Sequence, residues 1–203
     1  TGHRQSLATS LVVFLGFDFI KERKLIPFLL VSALAYILHK SSIVFVPFYL
    51  LGAKKVSWPY ISILGILTLA AYASGPSFIL KAAEMIGYAR DDVYELPPYT
   101  YVFALSLVGI TTAVLHKHIL ALSESKNWEI AATLFATMFG ILALIDQSMM
   151  RVQQYFSLFI MLSIPSIFSL FKGDSGKILK FTFFCSLIMY LINNNPQYQF
   201  FWQ

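Results

Sequence analysis

Lys21-Glu-Arg-Lys-Leu25-Ile-Pro-Phe-Leu-Leu-Val-Ser-Ala-Leu-Ala-Tyr-Ile-Leu38-His39-Lys-Ser-Ser42 is the stretch that decides the fold class. Residues 25–38 carry no charge, and ions bound them on both sides. A segment of this kind reads as a helix in hydrocarbon, where every backbone amide and carbonyl must be satisfied within the segment itself. It is also short. At 1.5 Å per residue it reaches about 21 Å, against a hydrocarbon core of about 30 Å.

The same pattern repeats outward along the chain, with apolar runs at 6–20, 43–52, 57–74, 99–115, 129–145, 155–171 and 178–192. Of the 203 residues 58% are hydrophobic and 12% charged, about half the charged share of a soluble domain. The 19 Phe, 11 Tyr and 3 Trp fall largely near run ends, where amphipathic rings settle at headgroup level. The expectation is an all-α, polytopic transmembrane bundle of about eight short spans forming a single domain over 1–203. Tilt or local thinning would accommodate the shorter runs. The weakest run, 43–52, contains Pro47 and reads as a re-entrant or interrupted helix facing the interior. The chain opens Thr-Gly-His-Arg-Gln without Met, which suggests the C-terminal part of a longer polytopic protein.

The net charge of +5 is dispersed through short loops rather than gathered in a stripe, so no nucleic-acid partner is expected. Its meaning is topological. With the 21–24 loop cytoplasmic and each run crossing once, Lys54, Lys55, Lys117, Lys126, Lys172, Lys177 and Lys180 also fall inside. Arg4, Lys40, Lys81, Arg90 and Arg151 fall outside, so the lysine bias follows the positive-inside rule. Three of the four arginines are therefore extracytoplasmic, where a planar fork suits phosphate or carboxylate. The longest connection, 75–98, is on that side, and its first half has the spacing of an interfacial helix, with Phe78, Ala82, Met85 and Ile86 on one face. Cys185 is the only cysteine, which excludes an internal disulfide.

Candidate chemistry gathers at the outer edges of the runs. His39 ends run 25–38 beside Ser41 and Ser42; an imidazole held neutral by desolvation can serve as a general base. The competing reading is a helix-end His that only bonds a neighbour. Arg4 and Gln5 open the first run, either snorkelling to the interface or contacting an anion. Asp146-Gln-Ser-Met-Met-Arg151-Val-Gln-Gln-Tyr155 crowds ions, amides, a hydroxyl and a phenol into one connection, more than a mere linker needs. Asp91, Asp92 and Glu95 are too dispersed for a metal cluster, and His116-Lys117-His118 reads as a solvated cap. No metal or cofactor is expected, and no nucleotide or nucleophile-elbow motif is present.

Gly2-His-Arg-Gln-Ser-Leu-Ala8, then Ala33-Leu-Ala-Tyr-Ile-Leu-His39-Lys-Ser-Ser42, then Arg151-Val-Gln-Gln-Tyr-Phe156 together resemble the EpsG family of polysaccharide polymerases, related to Wzy-type O-antigen polymerases. The resemblance implies a GT-C-like polymerase architecture in the bacterial inner membrane. It implies a glycosyltransferase joining undecaprenyl-pyrophosphate-linked repeat units at the extracytoplasmic face into exopolysaccharide, capsule or O-antigen. The partners it implies are that lipid-linked glycan, the bilayer, a chain-length regulator and a flippase. In that setting His39 would be the base of a metal-independent inverting reaction, and Arg4 and Arg151 would hold the pyrophosphate. Gln5, Arg90, Gln154 and Tyr155 would bind substrate. The rivals are a flippase or other transporter, disfavoured by span centres nearly free of charge, and a membrane-embedded acyltransferase.

Overall fold

The structure, a computed structural model, describes residues 2–85, 99–146 and 148–193. Helices make up all of its regular elements among these residues. They are α1 (Gly2–Ser10), a π-helical segment (Leu11–Gly16), α2 (Phe17–Lys21), α3 (Leu25–Leu38), a 3-10 helix (Lys40–Val44), α4 (Phe45–Leu51), α5 (Trp58–Ala73), α6 (Gly75–Met85), α7 (Tyr99–Leu122), α8 (Lys126–Leu142), α9 (Ser148–Leu170) and α10 (Gly173–Asn193). Local sequence places several boundaries. Pro27 stands in the first turn of α3 and Pro59 in that of α5, where the missing amide hydrogen costs no intrahelical bond. Gly75 and Gly173 supply positive φ where α6 and α10 begin.

Run 43–52 is neither a full span nor an exposed loop. His39 breaks the helix with extended backbone, after which the 3-10 turn and α4 run back alongside α3. Phe28, early in α3, stacks on Tyr49, late in α4, with ring centroids 4.9 Å apart. Arg23 Nη2 donates to the Ala53 carbonyl at 3.2 Å, so the segment returns to the end from which α3 left. Asn127 closes that end, donating to the Lys54 carbonyl at 3.0 Å and accepting from Val56 N at 2.8 Å. The loops around 22–24, 52–56 and 123–127 therefore lie together, as expected from their lysines.

Two helices, α7 and α9, are long and apolar enough to cross a membrane. A third crossing results if α5 and Gly75–Lys81, bent by 105°, form one broken span. The expected count of about eight is not reached by length and composition among the described residues. The reason is physical: α3 and Lys40–Leu51 are apolar but short, and the first helical run is polar at its start and passes through a π segment. Many large apolar side chains face outward, Ile26, Ile37, Phe103 and Phe181 among them, a surface that fits lipid and would be a liability in water.

The interior is aromatic. Phe48 packs edge-on to Trp128, Phe135 and Phe156, and Phe156 stacks on Phe45 at 5.3 Å. Small residues bring α7 against α8: a Cβ at Gly109 would collide with Thr137, and one at Gly140 with Leu105. Such close approach is how helices associate where lipid offers no hydrophobic drive. Thr133 and Ser163 add a 2.6 Å hydroxyl pair between α8 and α9. This packed centre fixes the start of α9 against α1 and the 3-10 turn.

Candidate functional site

Three chain segments far apart in sequence meet at the end of the bundle opposite the lysines. From α1 comes Gln5, buried, whose Nε2 donates to the Arg151 carbonyl at 3.0 Å and to Gln154 Oε1 at 2.7 Å. From the break after α3 comes His39, half-buried, its extended backbone turning the ring back over the 3-10 turn. His39 Nδ1 lies 2.9 Å from Ser41 Oγ, and Ser41 Oγ lies 3.2 Å from the hydroxyl of the fully buried Tyr155. The result is a continuous polar chain from imidazole through serine to phenol, with Tyr155 anchored beside the aromatic core by its neighbour Phe156.

Electrostatics act on the same group. Burial, and after it the charge of the Arg151 guanidinium, hold the His39 imidazole below its ordinary value of 6.5. Both causes disfavour the cation, so the ring is neutral at physiological pH and one nitrogen is basic. Which nitrogen is basic depends on the tautomer. The Ser41 backbone amide points at Nδ1 from 3.4 Å, which favours Nδ1 as acceptor, but that contact is long for a hydrogen bond. The shorter Ser41 hydroxyl contact serves either tautomer, since a hydroxyl donates and accepts.

The candidates read from sequence separate clearly. Gln5, His39, Arg151, Gln154 and Tyr155 are brought together. Arg4 is next to Gln5 but on the exposed side of α1. Arg90 lies outside the described residues, as does the second half of the 75–98 connection. The first half is α6, turned sharply off α5, with Phe78 exposed and Ile79 buried. Asp146 caps α9, its Oδ1 accepting from Ser148 N at 2.8 Å. His116 is not a solvated cap; it is buried, with Nδ1 2.7 Å from the Ala113 carbonyl and its ring edge-on to Trp58.

Sequence reasoning found Ser41 only as a neighbour of His39 and passed over Gln153. Ser41 is the middle of the polar chain. Gln153 Nε2 and Ser42 Oγ are buried without a hydrogen-bond partner among the described residues, which leaves polar capacity unused near the site. The run Gln153-Gln154-Tyr155 was the available signal: three polar side chains in a row on a helix point in different directions, and Gln153 and Tyr155 face inward while Gln154 does not.

Among the described residues no three His, Cys, Asp or Glu side chains form a metal-ligating cluster. The groups that converge are imidazole, hydroxyl, amide and guanidinium, suited to hydrogen-bonding polyols and contacting anions. Comparison with curated proteins and with solved structures finds no match. The model of the EpsG family, by contrast, matches residues 1–202. The chain belongs to the EpsG family, a family of polysaccharide-polymerase-like membrane proteins.

Proposed function

We propose that this protein is a GT-C-like glycosyltransferase that polymerises undecaprenyl-pyrophosphate-linked oligosaccharide repeats at the extracytoplasmic face of the bacterial inner membrane. The observation that carries the reading is the convergence of His39, Ser41 and Tyr155 with Arg151, Gln5 and Gln154. That set joins a neutral base to a cation whose charge reaches it, with amides nearby, which suits glycosyl transfer from a pyrophosphate donor.

In the reaction so conceived, the acceptor sugar hydroxyl attacks the anomeric carbon of the donor. A C–O bond forms there as the bond to pyrophosphate breaks, and the lipid pyrophosphate leaves with the electron pair. One displacement from the opposite face inverts the configuration, and no metal is invoked. His39 takes the hydroxyl proton on Nε2. This requires the tautomer in which Nδ1–H donates to Ser41 Oγ and Ser41 donates on to Tyr155; the two hydroxyl contacts permit it, and the long Ser41 amide contact to Nδ1 must then be given up. Arg151 stabilises the charge that grows on the leaving pyrophosphate, with Arg4 reaching in from the exposed face of α1. Removing one such donor typically costs about 10²–10³ in rate. Gln5, Arg90 and Gln154 orient the substrates, and Tyr155 holds Ser41. The lysine-rich opposite end supports an extracytoplasmic site through the positive-inside rule, and membrane and flippase partners follow from the lipid-linked substrate.

The test is reconstitution of the purified protein with a synthetic polyprenyl-pyrophosphate oligosaccharide. The expected products are glycans of two or more repeats and free polyprenyl pyrophosphate in matching amount. Translocation of intact donor, or acyl transfer without pyrophosphate release, would replace the proposal with one of its rivals.

A further inference from the structure

At the end of the bundle remote from His39 there is a concave site. A cavity of about 490 Å³ opens between the loops that Asn127 ties together, its wall including Lys21, Arg23, Lys55, Lys117, Glu124 and Trp128. Its size is that of a small-ligand pocket, and four cations face a single carboxylate across it. Lys21 has Asp18 at 3.6 Å, whereas Lys55 and Lys117 form no ion pair among the described residues. Like charges held around one cavity repel each other until an anion enters.

Arg23 shows that the cation is held there at a conformational cost. Lys24 N donates to the Phe19 carbonyl at 2.9 Å and Arg23 N to that of Ile20 at 3.2 Å. These are the two bonds of a Schellman termination of α2, whose left-handed position normally falls to glycine. Arg23 occupies it with φ 58°, the one positive φ outside glycine among the described residues, a conformation that side-chain-bearing residues resist. Its guanidinium lies 5.4 Å from the centre of the Trp128 ring and reaches the Ala53 carbonyl. Neither contact neutralises its charge.

We propose that this cavity binds a phosphate-bearing anion, taken either from an anionic lipid headgroup or from free phosphate. Arg23 supplies a planar donor fork, and Lys55 and Lys117 supply point charges. The lysine bias of this end is that of a face bearing anionic headgroups.

Wild type, Arg23→Gly and Lys117→Gln of the full chain, in nanodiscs of phosphatidylcholine with or without phosphatidylglycerol, test it. Inorganic phosphate titrated into the zwitterionic discs reports free-anion binding as a rise in melting temperature. Native mass spectrometry of the mixed discs reports retained phosphatidylglycerol. The expectation is that one ligand binds and that each lost cation weakens it about fivefold, the worth of one Lys or Arg near an anionic surface. Arg23→Gly relieves the left-handed backbone, so weaker binding at an unchanged or higher melting temperature marks a ligand role rather than a structural one. Should Arg23→Gly fail to fold, Lys117→Gln carries the same expectation. Equal binding by all three proteins, or binding of neither ligand, overturns the proposal.

Discussion

At the scale of the residue, the chemistry of His39 rests on two neighbours and on burial. Because desolvation and Arg151 both lower its pKa, the neutral, basic form persists as pH falls through 6.5. The acid limb of polymerising activity should therefore lie below the ordinary histidine range. Folding follows the same sign: His39 contributes fully above 6.5 and destabilises as pH drops through its lowered value. Arg151→Gln removes a lesser cause than burial, so the limb should move upward but stop short of 6.5, while the rate falls about 10²–10³-fold. A pH–rate profile of wild type and variant measures both effects; an unmoved limb would detach Arg151 from His39. Sequence located Gln5, His39, Arg151, Gln154 and Tyr155 because each stands at the polar edge of an apolar run. It placed both Arg4 and Gln5 in the site, although neighbouring helical residues point about 100° apart and only tertiary packing says which faces in. The same limit hid Ser41 and Gln153, whose significance lies in contacts more than a hundred residues away or in a missing partner.

At the scale of the element, the site depends on how α9 starts and how α3 stops. Asp146 caps α9 one turn before Arg151, and loss of a cap typically costs about 1 kcal/mol. Asp146→Ala should lower stability to denaturant by about that amount, and Asp146→Asn, which still caps, should restore most of it. Turnover per folded molecule should be nearly unchanged in both. A large rate loss at full stability would instead place Asp146 in the chemistry. The apolar runs announced α3, α5, α7, α8, α9 and α10, but only α3 and α5 end where the runs do; α7, α9 and α10 extend beyond theirs into polar flanks, and α8 is shifted toward the N-terminus. The π segment at Leu11–Gly16 and the 3-10 turn at Lys40–Val44 were not legible, because their hydrogen-bond register is chosen by packing rather than by composition. The interior position of α4 was foreseeable from Pro47 and the shortness of its run. Its return alongside α3 became definite only through Phe28 on Tyr49 and Arg23 on Ala53.

At the scale of the whole molecule, charge and hydropathy determined the environment and the grouping of loops more firmly than the number of crossings. Lysine-bearing loops come together, as the alternation required, but helix lengths qualify only α7 and α9 outright. Short helices such as α3 leave crossing number to the bilayer, which can thin or tilt around them. Orientation is measurable on α7 alone. In a Cys185→Ser background, Thr100→Cys lies in its first turn and Ser125→Cys just past its far end, both exposed. A membrane-impermeant thiol reagent should label Thr100→Cys in intact cells and Ser125→Cys only after permeabilisation. The reverse pattern would put the His39 site on the cytoplasmic side and remove it from the proposed substrate. The central claim, that the His39–Arg151 site elongates a lipid-linked glycan, is met most directly by glycan profiling of a deletion strain complemented with wild type or His39→Ala. With the variant expressed at wild-type level, the account expects polymer to fall about 10²–10⁴-fold, the usual worth of a general base, and single lipid-linked repeats to accumulate. Full-length polymer from His39→Ala would contradict it.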